Sequence, residues 1–440
     1  MADFAISSDP AVQRQLDRLA TLSPGADILG LERISVLLDR LGNPHRLLPP
    51  VFHVAGTNGK GSTCAFLRAA IEASGRKVHV YTSPHLVRFN ERIRIAGHLI
   101  EDALLASLLA EVLDIADGIS PSFFEVTTAA AFLAFARHPA DAAIIEVGLG
   151  GRLDATNVLE KPIICGIAQL GIDHQAFLGD RIEQIAAEKA GIAKAGVPLV
   201  TQHYPSSQGN EIGRAARAAG ARWLEKGGVW DASPYRGKLH YHDEQGELEL
   251  PLPRLAGAHQ AANAALAIAM IRHQGAVEVP PASLRAAMGW AEWPARLQKL
   301  TDGPLAAFLP EGSELWLDGG HNPAAGRAIA DFFRARLAPG RPFHLVLGML
   351  ANKDLRGFLE PFAGSGVQII AVPVPGHQHH DAAAVRAAAE SLDLSARAAP
   401  DAPDALKQIA RQAATAPLVL IGGSLYLAGI ALAANGTPPT

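Results

Sequence analysis

The 440-residue chain has few cysteines and no surplus of basic charge. Its two cysteines, Cys64 and Cys165, are too few for a disulfide framework, and both lie in segments where packing explains them. This usage is typical of a reducing compartment, so we expect a cytoplasmic protein. The 39 Lys and Arg against 43 Asp and Glu give a net charge of -4, which provides no overall basic field. We therefore expect no nucleic-acid partner.

The chain also lacks long apolar runs. Residues 1–19 contain neither a basic start nor an apolar stretch, so we expect no secretory signal there. Charged residues or proline interrupt the alanine-rich stretches, and we expect no membrane span and no membrane partner. The composition that remains, 49% hydrophobic and 19% charged, is typical of a globular protein. The length exceeds that of one usual core, which predicts two domains.

The most informative segment is VFHVAGTNGKGST, residues 51–63, where an apolar run ends in a glycine-rich loop with one lysine. Glycines let such a loop direct backbone N–H groups at an anion, and Lys60 adds a charge able to reach outer phosphates. The helix that follows favours the same anion at its positive end. Only two residues separate Gly56 from Gly59, where the common nucleotide loop has four, and Gly61 replaces the usual hydroxyl residue. An ordinary strand-to-helix turn is the alternative.

Helical and strand patterns alternate along the chain, which predicts an α/β fold with a mostly parallel sheet. Polar and apolar residues alternate from about 230 to 253, which predicts a small antiparallel ribbon. The helical patterns are interrupted at 290–304, and a second alternation follows. We place the domain boundary there, with residues 1–295 in the first domain and residues 296–440 in a smaller one. The segment 396–404, rich in Pro and Ala, is expected to be a connection.

Polar side chains follow several of the predicted strands. Glu146 ends one apolar run, Ser83 follows another, and His174 comes after a third. The carboxyl ends of parallel strands share the edge where ligands bind in open α/β sheets. A carboxylate beside a phosphate loop suits Mg2+, which takes oxygen ligands and bridges nucleotide phosphates. The plainer alternatives are a solvated strand end, a turn serine and a surface histidine.

Three further residues are candidates for function. Lys189 lies on a helical stretch, where a solvated lysine is the usual outcome. Asp318 and His321 follow the first strand of the second domain, just before an Asn-Pro pair that starts a helix. A carboxylate and an imidazole at a strand end are able to contact nucleotide or product.

Several of these segments together resemble one protein family. From residue 30 nearly to the end, the chain contains in order GLERIS, GTNGKGST, TSPHLVRFNERI, EVGLGGRLDATN, DHQAFLG, EKAGI, LDGGHNP, GMLANKD and GGSLYLAG. These motifs resemble the folylpolyglutamate synthases of the Mur ligase superfamily, and more closely their bacterial bifunctional dihydrofolate synthase form. The resemblance implies a P-loop-containing, mostly parallel sheet domain like the Mur ligase central domain, which binds ATP, plus a smaller Rossmann-like α/β glutamate-ligase domain at the C-terminus.

The resemblance also implies the reaction. In this family, ATP with Mg2+ phosphorylates a carboxylate, and the acyl phosphate is attacked by the amine of L-glutamate. The substrates would be dihydropteroate, giving dihydrofolate, and tetrahydrofolate, whose glutamate tail is extended. A monofunctional folylpolyglutamate synthase and another Mur-type ligase remain alternatives. We expect small-molecule partners only and a monomer.

The resemblance assigns residues to four roles. The nucleotide contacts would be Thr57, Asn58, Gly59, Lys60, Gly61, Ser62, Asn263, Arg296 and Asp318. The metal ligands would be Ser83, Glu146, His174 and Lys189, the last as a carbamate. The catalytic residues would be Lys60, Lys189, Asp318 and His321. The pterin site would comprise Ser122, Phe123, Phe124, Glu125, Leu153, Asp154 and Ala155. One departure stands at the hinge, which reads Ala295-Arg296-Leu297 where the family usually has Gly-Arg, and we expect a slightly stiffer hinge.

Overall fold

The computed structural model describes residues 6–22 and 29–440. The first five residues of the segment expected to carry no secretory signal therefore lie outside the described part. The chain divides into two compact units, one of Met1–Arg254 with His259–Glu292 and the other of Leu255–Ala258 with Trp293–Thr440. The functional division at residues 295 and 296 stays a prediction. No helix in the described ranges is sufficiently long and apolar to cross a membrane.

An eight-stranded sheet forms the centre of the first unit. Its strands are β1 (Val51–Ala55), β2 (Val78–Tyr81), β3 (Ile93–Ile95), β4 (His98–Leu99), β5 (Ala142–Glu146), β6 (Ile164–Ile167), β7 (Pro198–Thr201) and β8 (Arg222–Glu225). They lie in the order β4-β3-β2-β5-β1-β6-β7-β8, and only the β2–β3 and β3–β4 pairs are antiparallel. Every residue of β1 and β5 is buried, as strands covered on both faces require. The predicted α/β fold with a mostly parallel sheet is confirmed.

Ten helices surround the described strands of this unit. They are α1 (Pro10–Leu22), α2 (Glu32–Arg40), α3 (Lys60–Ala73), α4 (Asp102–Asp114), α5 (Phe123–Arg137), α6 (Gln175–Leu178), α7 (Ile182–Ala190), α8 (Ser206–Ala219), α9 (His259–Arg272) and α10 (Pro281–Trp290). One apolar cluster joins α1, α2, α4 and α5 to the sheet, and another joins α7 and α8 to it. Cys64 and Cys165 are free thiols with no exposed surface.

A separate three-stranded antiparallel sheet confirms the predicted ribbon. It contains β9 (Trp230–Tyr235), β10 (Lys238–Asp243) and β11 (Gly246–Pro251), with β10 in the middle. Leu239 and Tyr241 are buried on β10, while its first and fifth residues are exposed. The alternation in the sequence reflects a sheet with one covered face.

A six-stranded sheet forms the second unit. Its strands are β12 (Gln298–Leu300), β13 (Glu314–Asp318), β14 (Phe343–Leu347), β15 (Gln368–Ala371), β16 (Ser395–Ala398) and β17 (Leu418–Gly422). The order is β12-β13-β17-β14-β15-β16, and every pair except β12–β13 is parallel. The helices are α11 (Pro323–Arg334), α12 (Leu355–Leu359), α13 (Ala382–Glu390), α14 (Ala402–Gln412) and α15 (Leu425–Ala434).

The expectation that 396–404 is a connection was wrong. Most of β16 and the start of α14 fall within it. The strand is at the sheet edge with partly exposed side chains, so it carries no apolar run to reveal it. Of the two prolines in the segment, Pro403 lies in the first turn of α14, where its missing N–H has no intrahelical role. Asp401 caps that turn by accepting the Asp404 N–H.

Two residues without the freedom of glycine adopt left-handed backbone at the start of the second unit. Ala295 has φ of 56° and Leu297 has φ of 42°. The Ala295 N–H donates to the Gln298 Oε1 over 2.9 Å, and the Leu297 N–H donates to the Asp318 Oδ2 over 2.7 Å. These bonds hold a conformation that costs roughly 1–2 kcal/mol for a residue with a Cβ.

Replacing Ala295 with glycine tests this strain. We expect both Ala295→Gly and Ala291→Gly to lower the free energy of unfolding. The loss should be smaller for Ala295→Gly, by about 1 kcal/mol or more, because glycine relieves left-handed strain only at position 295. Ala291 is the matched control, since it is equally buried and has φ of -60°. Urea unfolding followed by circular dichroism gives both values. Equal losses in the two variants would show that no strain is stored at Ala295.

Candidate functional site

The predicted site residues of the first unit gather at the carboxyl edge of its sheet. Strands β2, β5, β1 and β6 are neighbours in that order and run parallel. Glu146 pairs in register with Val54, two residues before the glycine-rich loop, and Ser83 comes two residues after β2. Because parallel strands end on the same side, these segments share one edge, which is where open α/β sheets bind ligands.

The glycine-rich loop, residues 56–62, bends tightly before α3. Gly59 has φ of 84°, and a Cβ added there would lie 2.3 Å from the Asn263 Oδ1, so glycine is required for this approach. The structure thus brings Asn263 of α9 to the loop. The N–H groups of Thr57 and Asn58 donate to the Gln169 carbonyl. The N–H groups in the first turn of α3, which begins at Lys60, are therefore the ones suited to bind phosphate.

Lys60 and Glu146 form a largely buried ion pair. Lys60 is the first residue of α3, and its side chain is only 16% exposed. Its Nζ lies 3.9 Å from the Glu146 Oε1. Gly61 and Ser62 follow in the same buried turn. The loop therefore presents one cation beside one carboxylate at the end of β5.

Lys189 is buried, which excludes the interpretation as a surface lysine. It lies on α7, is 4% exposed, and donates from Nζ to the Gly56 carbonyl over 2.9 Å. Burial, helped by the charge of Lys60, lowers the pKa of Lys189 to about 7. The amine is therefore substantially neutral near neutral pH, unlike an ordinary lysine.

Ser83 and His174 are both half-buried at this edge. His174 precedes the single turn α6 in left-handed backbone, with φ of 53°. In the described ranges, no group of three or more His, Cys, Asp and Glu side chains is placed to hold a metal. A serine hydroxyl with one buried carboxylate suits a Mg2+ ion that also takes phosphate and water oxygens, so the donor chemistry fits the predicted ion.

Two residues of the predicted pterin site cap α5. The Ser122 Oγ accepts the Glu125 N–H over 3.2 Å, and the Glu125 Oε2 accepts the Ser122 N–H over 2.6 Å. The Arg33 Nε donates to the same Oε2 over 3.0 Å. This capping box fixes the first turn of α5, which carries the two phenylalanines between the capping residues.

Phe124 faces the glycines that follow Glu146. Its ring stacks on Tyr81 at 5.9 Å between centroids. A Cβ added to Gly148 would lie 2.4 Å from the Phe124 Cζ, so the ring packs directly against that backbone. Phe123 instead packs edge-on against Phe89 at 6.0 Å. Of the two phenylalanines assigned to the pterin site, Phe124 is thus the one that packs against the backbone following β5.

Asp154 is buried and engaged by the protein itself. Its Oδ2 accepts the Leu149 N–H over 2.8 Å, and its Oδ1 accepts both the N–H and the hydroxyl of Thr156. Burial raises its pKa. The neighbouring Leu153 is half-buried and Ala155 is buried. Asp154 therefore anchors the 147–151 loop, a role that its motif did not reveal.

In the second unit, three predicted residues lie together where β13 ends. Asp318 is 5% exposed, and its Oδ1 and Oδ2 accept the N–H groups of Gly320 and Leu297, each over 2.7 Å. The Arg296 Nη1 donates to the Ala295 carbonyl, and the His321 Nδ1 lies 2.9 Å from the Gly319 carbonyl. Asp318 thus fixes the turn before β12, which sequence patterns did not predict.

Sequence reasoning also missed two buried residues in the sheet of the first unit. His53 interrupts the apolar strand β1 and lies 2.9 Å from the Thr156 hydroxyl. A histidine inside an otherwise apolar strand was the available signal. Tyr81 supports Phe124 and directs its hydroxyl to the Thr127 and Thr128 hydroxyls, each at 3.1 Å.

Known proteins share this architecture. The family described as Mur ligase, glutamate ligase domain matches residues 308–425. Folylpolyglutamate synthase of Lacticaseibacillus casei is 34% identical over 431 residues, covering 90% of this chain and 92% of that protein. The structure of E. coli FolC in complex with DHPP and ADP has a TM-score of 0.86 at 31% identity and covers 97% of both chains.

A third relative has both activities in its name. The structure of bifunctional folylpolyglutamate synthase/dihydrofolate synthase from Yersinia pestis, complexed with AMPPNP and Mn ion, has a TM-score of 0.84 at 32% identity. The match covers 97% of this chain and 99% of that one. These similarities extend over nearly the full length of the chain. They agree with its glycine-rich loop, where Lys60 lies beside the buried carboxylate of Glu146. The chain therefore belongs to the folylpolyglutamate synthase/dihydrofolate synthase family of Mur ligases.

Proposed function

We propose that the chain is an ATP-dependent ligase that joins L-glutamate to dihydropteroate, forming dihydrofolate, and to tetrahydrofolate, extending its glutamate tail. The observation that carries this proposal is the buried ion pair of Lys60 and Glu146 at the glycine-rich loop. The Phe124 ring packs against Gly148, two residues after Glu146. The DHPP and ADP of the E. coli relative, and the AMPPNP and Mn ion of the Yersinia pestis relative, support the same ligand classes here.

The chemistry requires an activated carboxyl group. A carboxylate is a poor acyl donor, because an attacking amine would have to expel oxide. A substrate carboxylate oxygen therefore attacks the γ-phosphorus of ATP, ADP leaves, and an acyl phosphate forms. The glutamate amine then attacks the acyl carbon, phosphate leaves, and the nitrogen loses a proton to give the amide. Lys60 and the first N–H groups of α3 stabilise the charge on the transferring phosphoryl group.

Ser83, Glu146 and His174 would hold Mg2+, and Lys189 as a carbamate would serve a second ion. Bound Mg2+ supplies neutralisation of the nucleotide phosphates. The neutral amine of Lys189 supports carbamate formation, in which the nitrogen lone pair adds to the carbon of CO2 and a proton is released. The product is an anion where an ordinary lysine would be a cation, and anions suit metal ligation.

The remaining assignments follow the fold. Asn263 contacts nucleotide from α9, and its place against Gly59 supports this. Arg296, Asp318 and His321 serve the nucleotide or transferred phosphate from the carboxyl edge of β13. In the pterin pocket, the side chains of Phe124 and Leu153 contact the substrate. The other residues assigned to this pocket hold those two side chains in position. We further propose that the protein is cytoplasmic, monomeric and acts on small-molecule substrates. Sedimentation velocity tests the oligomeric state.

One assay tests the proposed function. Purified protein is mixed with ATP, Mg2+, L-glutamate and either dihydropteroate or tetrahydrofolate, and phosphate release and the folate products are measured. We expect release only when acceptor and glutamate are both present, and products from both acceptors. Activity on tetrahydrofolate alone would favour the monofunctional folylpolyglutamate synthase. Phosphate release that requires neither acceptor would contradict the ligase proposal.

Lys60→Ala tests the phosphate loop. Losing a charge that acts on the transferring phosphoryl group costs about 3 kcal/mol or more, which is roughly a hundredfold in kcat. The control is Lys77→Ala, since Lys77 is exposed and remote from the ion pair. Steady-state kinetics at saturating ATP give the comparison, with circular dichroism as the check on folding. Near-normal turnover of Lys60→Ala would remove this residue from the mechanism.

Lys189→Arg tests the carbamate. Arginine keeps the positive charge but forms no carbamate, so we expect it to be nearly inactive. Lys189→Ala is also expected to be inactive, with partial recovery in acetate or formate, which place a carboxylate in the vacated space. Stripping bicarbonate should slow the wild type, and 13C NMR with labelled CO2 should show a carbamate carbon. Full activity of Lys189→Arg would show that the residue acts as a cation or does not act.

Phe124→Ala tests the proposed contact between Phe124 and the pterin ring. Alanine removes stacking and contact area for a flat ring system, so we expect dihydrofolate synthesis to fall by about tenfold or more. If the two acceptors use distinct pockets, glutamate addition to tetrahydrofolate should be spared. Phe132→Ala is the control for lost packing, because Phe132 is buried elsewhere on α5. Equal loss of both activities in Phe124→Ala would indicate one shared pocket or a structural role.

A further inference from the structure

His53 begins a chain of hydrogen bonds that ends at the 147–151 loop. It lies on β1 and has no exposed surface. Its Nε2 is 2.9 Å from the Thr156 Oγ1, and that hydroxyl donates to the Asp154 Oδ1 over 2.5 Å. The Asp154 Oδ2 accepts the Leu149 N–H over 2.8 Å. The strand before the phosphate loop is thereby connected to the loop that follows the neighbouring strand.

The geometry sets the direction of each bond in this chain. A threonine hydroxyl has one hydrogen to donate, and the Thr156 hydroxyl donates it to the carboxylate of Asp154. Thr156 therefore accepts from His53, whose Nε2 carries the hydrogen. Burial lowers the pKa of His53 to about 3, so the ring is neutral and Nδ1 has no proton. Within the described part of the chain, this buried Nδ1 has no hydrogen-bond partner.

The position of His53 suits an apolar side chain. Val51 and Ala55, its neighbours on the same face of β1, belong to the two different apolar clusters of this unit. A leucine would join these clusters without leaving a nitrogen unpaired, and an unpaired buried polar group costs roughly 1–3 kcal/mol. What the histidine adds at this place is the bond from Nε2.

The loop that this chain reaches has little space to move. On one side, a Cβ on Gly148 would lie 2.4 Å from the Phe124 Cζ. On the other side, a Cβ on Gly151 would lie 2.7 Å from the Glu188 carbonyl of α7. A shift of the loop therefore moves the backbone that packs against Phe124.

We propose that His53 is a positioning residue for the pterin substrate. Through Thr156 and Asp154 it holds the 147–151 loop against Phe124 and so sets the width of the pocket beside that ring. His53 itself touches no substrate. This inference rests on the proposed function, which assigns Phe124 to the pterin.

Two variants of equal chemistry and different reach test the proposal. In His53→Gln the amide nitrogen is placed near the former Nε2 and is able to donate to Thr156, whereas His53→Asn is too short. Two readouts are compared with the wild type. One is amide hydrogen exchange of residues 147–154 in the free protein, and the other is the set of KM values for dihydropteroate and ATP.

For His53→Asn we expect exchange at Leu149 to be faster and the KM for dihydropteroate to be higher, each by roughly tenfold, the effect of one buried hydrogen bond. The KM for ATP should stay within about twofold, because the phosphate loop is not on this chain of bonds. His53→Gln should remain near the wild type in both readouts.

His79→Asn is the matched control. His79 is a fully buried histidine on the neighbouring strand β2, and its Nε2 contacts the His138 carbonyl at 3.0 Å. Its replacement should leave exchange of residues 147–154 and the KM for dihydropteroate unchanged. If His53→Asn does not fold, Thr156→Val removes the accepting hydroxyl from the other side and should give the same two changes.

The outcomes separate this proposal from the proposed function. Equal exchange and equal KM values in the Gln and Asn variants would overturn the positioning role, whatever the activity. So would a parallel rise in the KM for ATP and dihydropteroate, which a general loss of structure produces. A wild type that makes no dihydrofolate would overturn the proposed function instead, and the exchange comparison would still decide whether His53 holds the loop.

Discussion

Opposite charges buried side by side at the carboxyl edge of the first sheet constrain the segments around them. The Lys60 Nζ, at the start of α3, lies 3.9 Å from the Oε1 of Glu146, which ends the strand β5 next to β1. Charges removed from water are tolerated when they are paired, so removing either partner leaves the other charge buried and unpaired. A second amine, Lys189, lies in the same region with its pKa lowered to about 7. Because Lys189 is able to lose its charge, the region need not hold two buried ammonium groups beside Glu146.

Several residues in the family motifs have structural roles that coexist with the proposed chemical ones. Ser122 and Glu125 cap α5, and Asp154 fastens the 147–151 loop. Asp318 holds the turn that contains Ala295 and Leu297 in left-handed backbone. The side chains proposed to meet ligands stand on these anchors. Substitution of an anchor would therefore change ligand binding through the neighbouring side chains that it positions, in addition to any contact of its own.

The sequence was informative where a pattern is local. The glycine-rich loop, the apolar parallel strands and the alternating ribbon each follow from spacing within a dozen residues. Edge strand β16 escaped prediction because one neighbour and partial exposure require no apolar run. The burial of Lys60 and Lys189, and the link from His53 to Asp154, depend on segments far apart in the chain. No local pattern encodes such proximity, so only the folded structure showed it.

The burial of Cys64 has a consequence for redox chemistry. This thiol lies on α3, four residues after Lys60, and has no exposed surface. Burial, reinforced by the charge of Glu146, holds its pKa well above the usual range. Since the thiolate is the form that attacks peroxides and disulfides, the buried thiol of Cys64 reacts far more slowly with them than an exposed cysteine does. The cysteine four residues after Lys60 therefore offers oxidants neither an exposed sulfur nor a thiolate.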